Sequence, residues 1–201
     1  MEAYKYDVVI IGAGGAGLRA AVSAREAGLS VAIICKSLFG KAHTVMAEGG
    51  AAAAMGNVND KDNWQVHFRD TMRGGKFLNH WRMAELHAKE APERIWELEY
   101  WGALFDRTGL ELIRTMQQRI VAMQQEDKKE FGDYEQKIKV FQELTITDIL
   151  KDNGKVSGAY GYWRESGDEV LFETSAVVLA TGGIGKSFKV TSNSWEGTGD
   201  G

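Results

Sequence analysis

Six consecutive residues near the start of the chain, Gly12-Ala13-Gly14-Gly15-Ala16-Gly17, fit the spacing G-x-G-x-x-G. Each glycine has a task in that spacing. Gly12 permits a tight turn, Gly14 lets the backbone approach a pyrophosphate, and Gly17 allows a helix to pack closely on a strand. A helix opening here offers free N–H groups and the positive end of its dipole to phosphates. The chemistry implied is dinucleotide binding. A second glycine turn, Thr181-Gly182-Gly183, ends a late apolar run and again lets the chain come close to a cofactor. The end of the second strand usually carries an acid for ribose hydroxyls; here it reads Cys35-Lys36-Ser37. Lysine does not suit an NAD ribose, which leaves a phosphorylated ribose or a flavin enzyme with a different ribose contact. Cys35, at a buried strand end, reads as packing. His67, His80 and His87 fall in helical stretches and read as surface or core residues. No pair among them has metal-ligand spacing with supporting Cys or carboxylates, so no metal is expected.

The elements that must position these groups follow from periodicity. Tyr6–Ile11 and Ser30–Cys35 read as buried strands, with a helix over Leu18–Ala27 stopped by Gly28; together they predict a parallel βαβ unit. Residues 36–57 read as loop. Helices are predicted over Asp62–Met72 and His80–Trp101, with Pro92 opening a second helix at its first turn, and over Leu110–Gln125. The charged run 126–136 reads as solvated. From Lys137 the period becomes strand-like: a strand over Ile138–Leu150, a hairpin turn at Asn153-Gly154, returning strands over Val156–Arg164 and Glu169–Thr174, and a buried strand Ser175–Ala180 running into Thr181. A meander that returns to the sheet through a glycine turn is the plan of two-dinucleotide-binding flavoproteins. The fold class expected is α/β, a Rossmann-like two-dinucleotide-binding FAD domain with a helical insert and a β-meander, and incomplete.

Composition narrows the function class. Among 201 residues there are 24 glycines and one proline, where average usage is about 7% and about 5%. The glycines follow no G-x-y period, so collagen is excluded. Hydrophobic and charged fractions of 44% and 26% are those of a globular chain. A net charge of −4 argues against a nucleic-acid surface. The single cysteine excludes a disulfide framework within the chain. The longest apolar run, from Val8 to Arg19, falls short of the ~20 residues of a membrane span, and residues 1–7, without a basic region leading into an apolar one and a cleavage site, are not expected to act as a signal peptide.

The segment Lys36-Ser-Leu-Phe-Gly-Lys-Ala42-His43-Thr44-Val-Met-Ala-Glu48-Gly49-Gly50 resembles the flavin-attachment segment of succinate dehydrogenase and fumarate reductase flavoprotein subunits. Thr181-Gly182-Gly183 and Thr198-Gly199-Asp200-Gly201 are similar to that family as well, and the resemblance runs over the whole chain. It implies that FAD is the cofactor, bonded through its 8α-methyl to a ring nitrogen of His43. It implies that Gly12 to Gly17 hold the pyrophosphate, that Cys35 to Gly50 wrap the adenosine and flavin, and that Asp200 contacts the cofactor near the isoalloxazine side. The reaction implied is hydride transfer between succinate or fumarate and the flavin, with electrons passed to an iron–sulfur subunit. Membrane anchor subunits then hold the protein, itself cytoplasmic, on the inner face of the cell membrane.

Against that family pattern, Glu48 replaces the more usual Gln, and Leu104-Phe-Asp106-Arg107-Thr108 runs at once into Gly109, where the family carries a loop of roughly 25 residues. The chain is expected to be a partial FAD-binding domain: residues 1–57 as the βαβ unit and flavin loop, 58–136 as the helical insert, and 137–201 as the meander and return strand. The family's capping domain and catalytic groups are expected beyond it, so no catalytic residue is assigned. The alternatives are an L-aspartate oxidase-like flavoprotein with non-covalent FAD, and a truncated product without catalysis.

Overall fold

Two stretches, Val8–Ile11 and Val31–Ile34, carry no polar side chain and are buried at every position, the pattern of strands covered on both faces. The computed structural model describes residues 1–105 and 108–201. Its elements run β1 (Glu2–Lys5), β2 (Val8–Ile11), α1 (Gly15–Glu26), β3 (Val31–Ile34), α2 (Trp64–Gly74), α3 (Trp81–Tyr100), α4 (Thr108–Phe131), β4 (Ile138–Phe141), β5 (Leu144–Asp152), β6 (Lys155–Trp163), β7 (Glu169–Glu173) and β8 (Ala176–Leu179).

The strands form two four-stranded sheets. One has the order β4-β3-β2-β8 and is parallel throughout. The other has the order β1-β7-β6-β5, with β1 parallel to β7 and the remaining pairs antiparallel. Alternation along β2 and β3 splits the core in two. Val8, Ile10, Val31 and Ile33 face α1 and α4, packing with Leu18, Val22, Ile113, Met116 and Ile120. Val9, Ile11, Ala32 and Ile34 face the second sheet, packing with Phe141, Leu144, Val170 and Phe172. The molecule is therefore three-layered: helices, parallel sheet, mixed sheet. Each fully buried aliphatic or Phe side chain contributes about 1.5–3 kcal/mol. The rings of Phe141 and Phe172 meet edge to face, centroids 4.9 Å apart, in the preferred aromatic geometry.

The expected βαβ unit is present, as is the Asn153-Gly154 hairpin, whose two turn residues both have positive φ (49° and 78°) as a two-residue type I′ turn demands. The strand expected to be buried over Ser175–Ala180 is instead the edge strand β8, half-exposed, with Leu179 56% exposed. Four further expectations need correction. First, Pro92 does not start a helix; it lies inside α3. A mid-helix proline removes one hydrogen bond and costs about 3 kcal/mol. The helix continues because Ala84, Ala88 and Leu98 bury on either side of it, and because Glu97 beyond it binds Arg19 of α1 in two hydrogen bonds of 2.9 and 2.7 Å. Second, the charged run after Gln125 is not wholly solvated. Helix α4 extends to Phe131, and Asp127 is fully buried, where it pairs with Arg25 of α1 and accepts the Lys137 amide at 3.0 Å. Third, Ile138–Leu150 is two strands in different sheets, parted at Glu143, whose φ is +56°. Fourth, β1 lies where periodicity predicts no element; its register with β7, rather than local pattern, holds it.

Candidate functional site

In the parallel sheet the chain moves outward from β2 to β3 to β4, then returns to the opposite flank of β2 as β8. Where strand order reverses in this way, a crevice opens at the carboxyl ends of the strands, and ligands bind there. The turns after β2 and β8 both end at this point. The Ala180 amide donates to the Ile11 carbonyl at 2.8 Å, carrying the pairing to the very end of both strands.

The first turn shows why its glycines are there. Gly12 has φ +117°, and a Cβ on it would overlap the Ala180 carbonyl; a Cβ on Gly17 would overlap the Gly12 carbonyl. Gly14 is the N-cap of α1, and a Cβ on it would press on the Cβ of Ala42 at 3.3 Å. Helix α1 carries no acidic residue in its first turn, so nothing there opposes an anion at its positive end. The helix begins at Gly15, three residues earlier than Leu18, which places Gly15, Ala16 and Gly17 in the first turn with their amides free of intrahelical acceptors. The Gly15 amide donates to Thr44 Oγ1 at 3.3 Å.

That bond joins the second group of expected residues to the first. His43 and Thr44 open a single 3-10 turn, His43–Met46. His43 is exposed, and its Nδ1 accepts the Ser194 amide at 3.1 Å. In the neutral ring this places the proton on Nε2.

At the end of β3 the Lys36 ammonium donates to Asp200 Oδ2 at 2.7 Å and to Thr198 Oγ1 at 2.6 Å. The ammonium, with Thr198 Oγ1 bonded to the same carboxylate, holds the Asp200 carboxyl below the usual range. A carboxylate thus does stand at the strand end where a ribose ligand is looked for, delivered from 164 residues away. Cys35 is buried, its thiol against the Phe141 carbonyl at 3.5 Å, and burial pushes that thiol up to about 12. Ser37 is buried beside it, its hydroxyl 3.4 Å from the Lys41 carbonyl.

The remaining residues are less gathered. Thr181 lies against Gly201, where a Cβ would overlap its hydroxyl. Cβ atoms on Gly182 and Gly183 would meet nothing, so space is open beside them. Glu48, Gly49 and Gly50 are exposed. An open cleft of about 730 Å³ between Ala53 and Asp70 includes none of the expected residues. Sequence reasoning missed Ser194, Gly109 and Gln117. The amide of Gly109 donates to the Ala47 carbonyl at 2.8 Å, and Gln117 Nε2 donates to the Phe39 carbonyl at 3.0 Å; neither residue carries a local motif. Among the described residues no group of three or more His, Cys, Asp or Glu could hold a metal ion, and no helix is long and apolar enough to cross a membrane.

Residues 7–201 match the family described as FAD binding domain. One chain of the CoM/CoB fumarate reductase of Methanothermobacter marburgensis is 39% identical over 219 positions, covering 100% of this chain and 39% of that protein. The succinate dehydrogenase flavoprotein subunit of Rickettsia bellii is 35% identical over 231 positions, covering 98% and 36%. Among solved structures, the Mycobacterium smegmatis Sdh1 complex in its apo form superposes with a TM-score of 0.95 at 65% identity, over 100% of this chain and 38% of that one. The chain therefore spans well under half the length of the relatives it matches. The alignments run over more positions than the chain's 201 residues, so the relatives carry residues inside the matched stretch that this chain lacks. The expected loop junction at Asp106 and Arg107 lies outside the described residues.

Proposed function

The chain belongs to the FAD binding domain family, and on that premise we propose that it forms the FAD cradle of a succinate dehydrogenase or fumarate reductase flavoprotein subunit, with the flavin bonded to His43. The observation that carries this reading is the bond between Gly15 and Thr44, which sets the histidine turn directly on the phosphate turn.

The residues present fit the group. The first-turn amides of Ala16 and Gly17 in α1, together with Gly12 and Gly14, receive the pyrophosphate. Lys36 and Asp200 receive hydroxyl groups of the cofactor, the ammonium donating and the carboxylate accepting. The open space at Gly182 and Gly183 admits it without a side chain in the way. FAD, when bound, supplies the hydride acceptor. His43 would hold the flavin through Nε2, the ring nitrogen that the Ser194 amide leaves free, and would give up that nitrogen's proton.

The whole protein would pass electrons from succinate, or to fumarate, through an iron–sulfur subunit, with anchor subunits holding it at the inner face of the membrane. The substrate-binding and proton-transferring groups would belong to a capping domain. The same proposal divides the chain at residues 57 and 136.

The test is acid precipitation of the flavin-loaded protein. Yellow fluorescence is expected to stay with the unaltered chain and to leave with the supernatant in His43→Ser, while both hold similar total flavin before acid. Flavin fully released by acid from the unaltered chain sinks the covalent link and favours the L-aspartate oxidase-like alternative.

A further inference from the structure

We propose that α4 is the element that positions His43, through Gly109 and Gln117. The inference rests on the covalent reading above and adds the residues that aim the imidazole.

The segment that carries His43 cannot hold itself in place. Its only regular structure is the four-residue turn His43–Met46, which has no buried residue and no side-chain cap; a helix that short is not stable alone. Both of its flanks are tied to α4. On the C-terminal side, the Gly109 amide donates to the Ala47 carbonyl at 2.8 Å. The Gly109 α-carbon sits so close that a Cβ would overlap the Thr44 carbonyl and press on Ala47 at 2.6 Å. On the N-terminal side, Gln117 Nε2 donates to the Phe39 carbonyl at 3.0 Å. Its amide also lies where a Cβ of Gly40 would be, and Gly40 has φ +79°. The Phe39 amide is held in turn by Gln142 Oε1 at 2.7 Å.

Gly109 and Gln117 lie about 12 Å apart along one helix, so a single rigid rod grips the segment on both sides of the histidine. That rod is fixed to the phosphate turn. Ile113, Met116, Ile120 and Met123 of α4 are buried in the core that also contains Leu18 and Val22 of α1, and Asp127 and Arg119 pair with Arg25 and Glu26 of α1. The histidine and the pyrophosphate cradle therefore share one frame, and α4 sets the distance between them.

The test compares Gln117→Glu, which keeps the size and removes the donor, and Gly109→Ala, which pushes the turn away, with the unaltered chain. Each is loaded with FAD. Total flavin, acid-stable flavin against time, and amide hydrogen exchange over residues 39–47 are measured. Both variants are expected to hold total flavin at the unaltered level and to form acid-stable flavin about tenfold or more slowly, since a displacement of about 1 Å costs on the order of a hundredfold in such a reaction. Attachment at the unaltered rate in both variants overturns the proposal. So does a parallel loss of total and covalent flavin, which marks a merely structural role. If the unaltered chain carries no acid-stable flavin, the covalent reading falls and exchange decides: faster exchange over 39–47 in the variants upholds the grip of α4, and unchanged exchange overturns it.

Discussion

Gly17 shows how little tolerance the glycine turn after β2 has. A methyl group there would occupy the space of the Gly12 carbonyl, which is backbone and cannot swing aside as a side chain does. Gly17→Ala is expected to destabilise the chain by about 1–3 kcal/mol and to weaken FAD binding at least tenfold, read from a urea melt and a flavin titration. An alanine variant with unchanged affinity would remove Gly17 from the site. The residue scale is also where the sequence is most and least informative. Gly12, Gly14 and Gly17 are legible because their tasks depend on neighbours in sequence. The contact of His43 with Ser194 spans 151 residues, and that of Lys36 with Asp200 spans 164. No local pattern encodes such meetings; they exist only once β8 has joined the sheet. Lys36, puzzling as a ribose ligand by itself, becomes intelligible as the holder of a carboxylate.

Helix α4 carries the element-scale lesson. Its apolar face is legible over Leu110–Gln125, but the end of the helix is not, because the charged residues that follow look like solvated surface. Asp127 departs from that rule by finding Arg25 and the Lys137 amide in a fully buried position. An ion pair of this kind adds little net stability, yet breaking one side of it costs about 3–5 kcal/mol. Asp127→Ala is expected to lose stability in that range, and the double variant Arg25→Met, Asp127→Leu distinctly less, both read from denaturant midpoints. Similar losses in the two would show that the charge pair is not the cause. Pro92 and Glu143 complete the picture. In each, a strong local signal or its absence is overruled by packing on both sides, of Ala88 and Leu98 in α3 and of Phe141 and Leu144 across the sheet break.

At the scale of the whole molecule, the three layers converge on one crevice, and a ligand bound there stabilises all of them together. FAD that binds only the folded chain adds about 2.7 kcal/mol at a hundred times its dissociation constant. The melting temperature should climb with flavin concentration, and a flat dependence would contradict a site at the β2–β8 junction. That junction has a further consequence, for the order in which the protein is made. Ile11 pairs with Leu179, and Glu2 with Val170, so β1 and β2 leave the ribosome well before the strands that complete their sheets. At about 5–20 residues per second, the interval is on the order of ten seconds or more. During that time β2 has only one of its two neighbours and the glycine turn has no opposite wall. Cofactor capture therefore belongs after β8 has emerged, and the nascent apolar strands need shelter from other chains until it arrives.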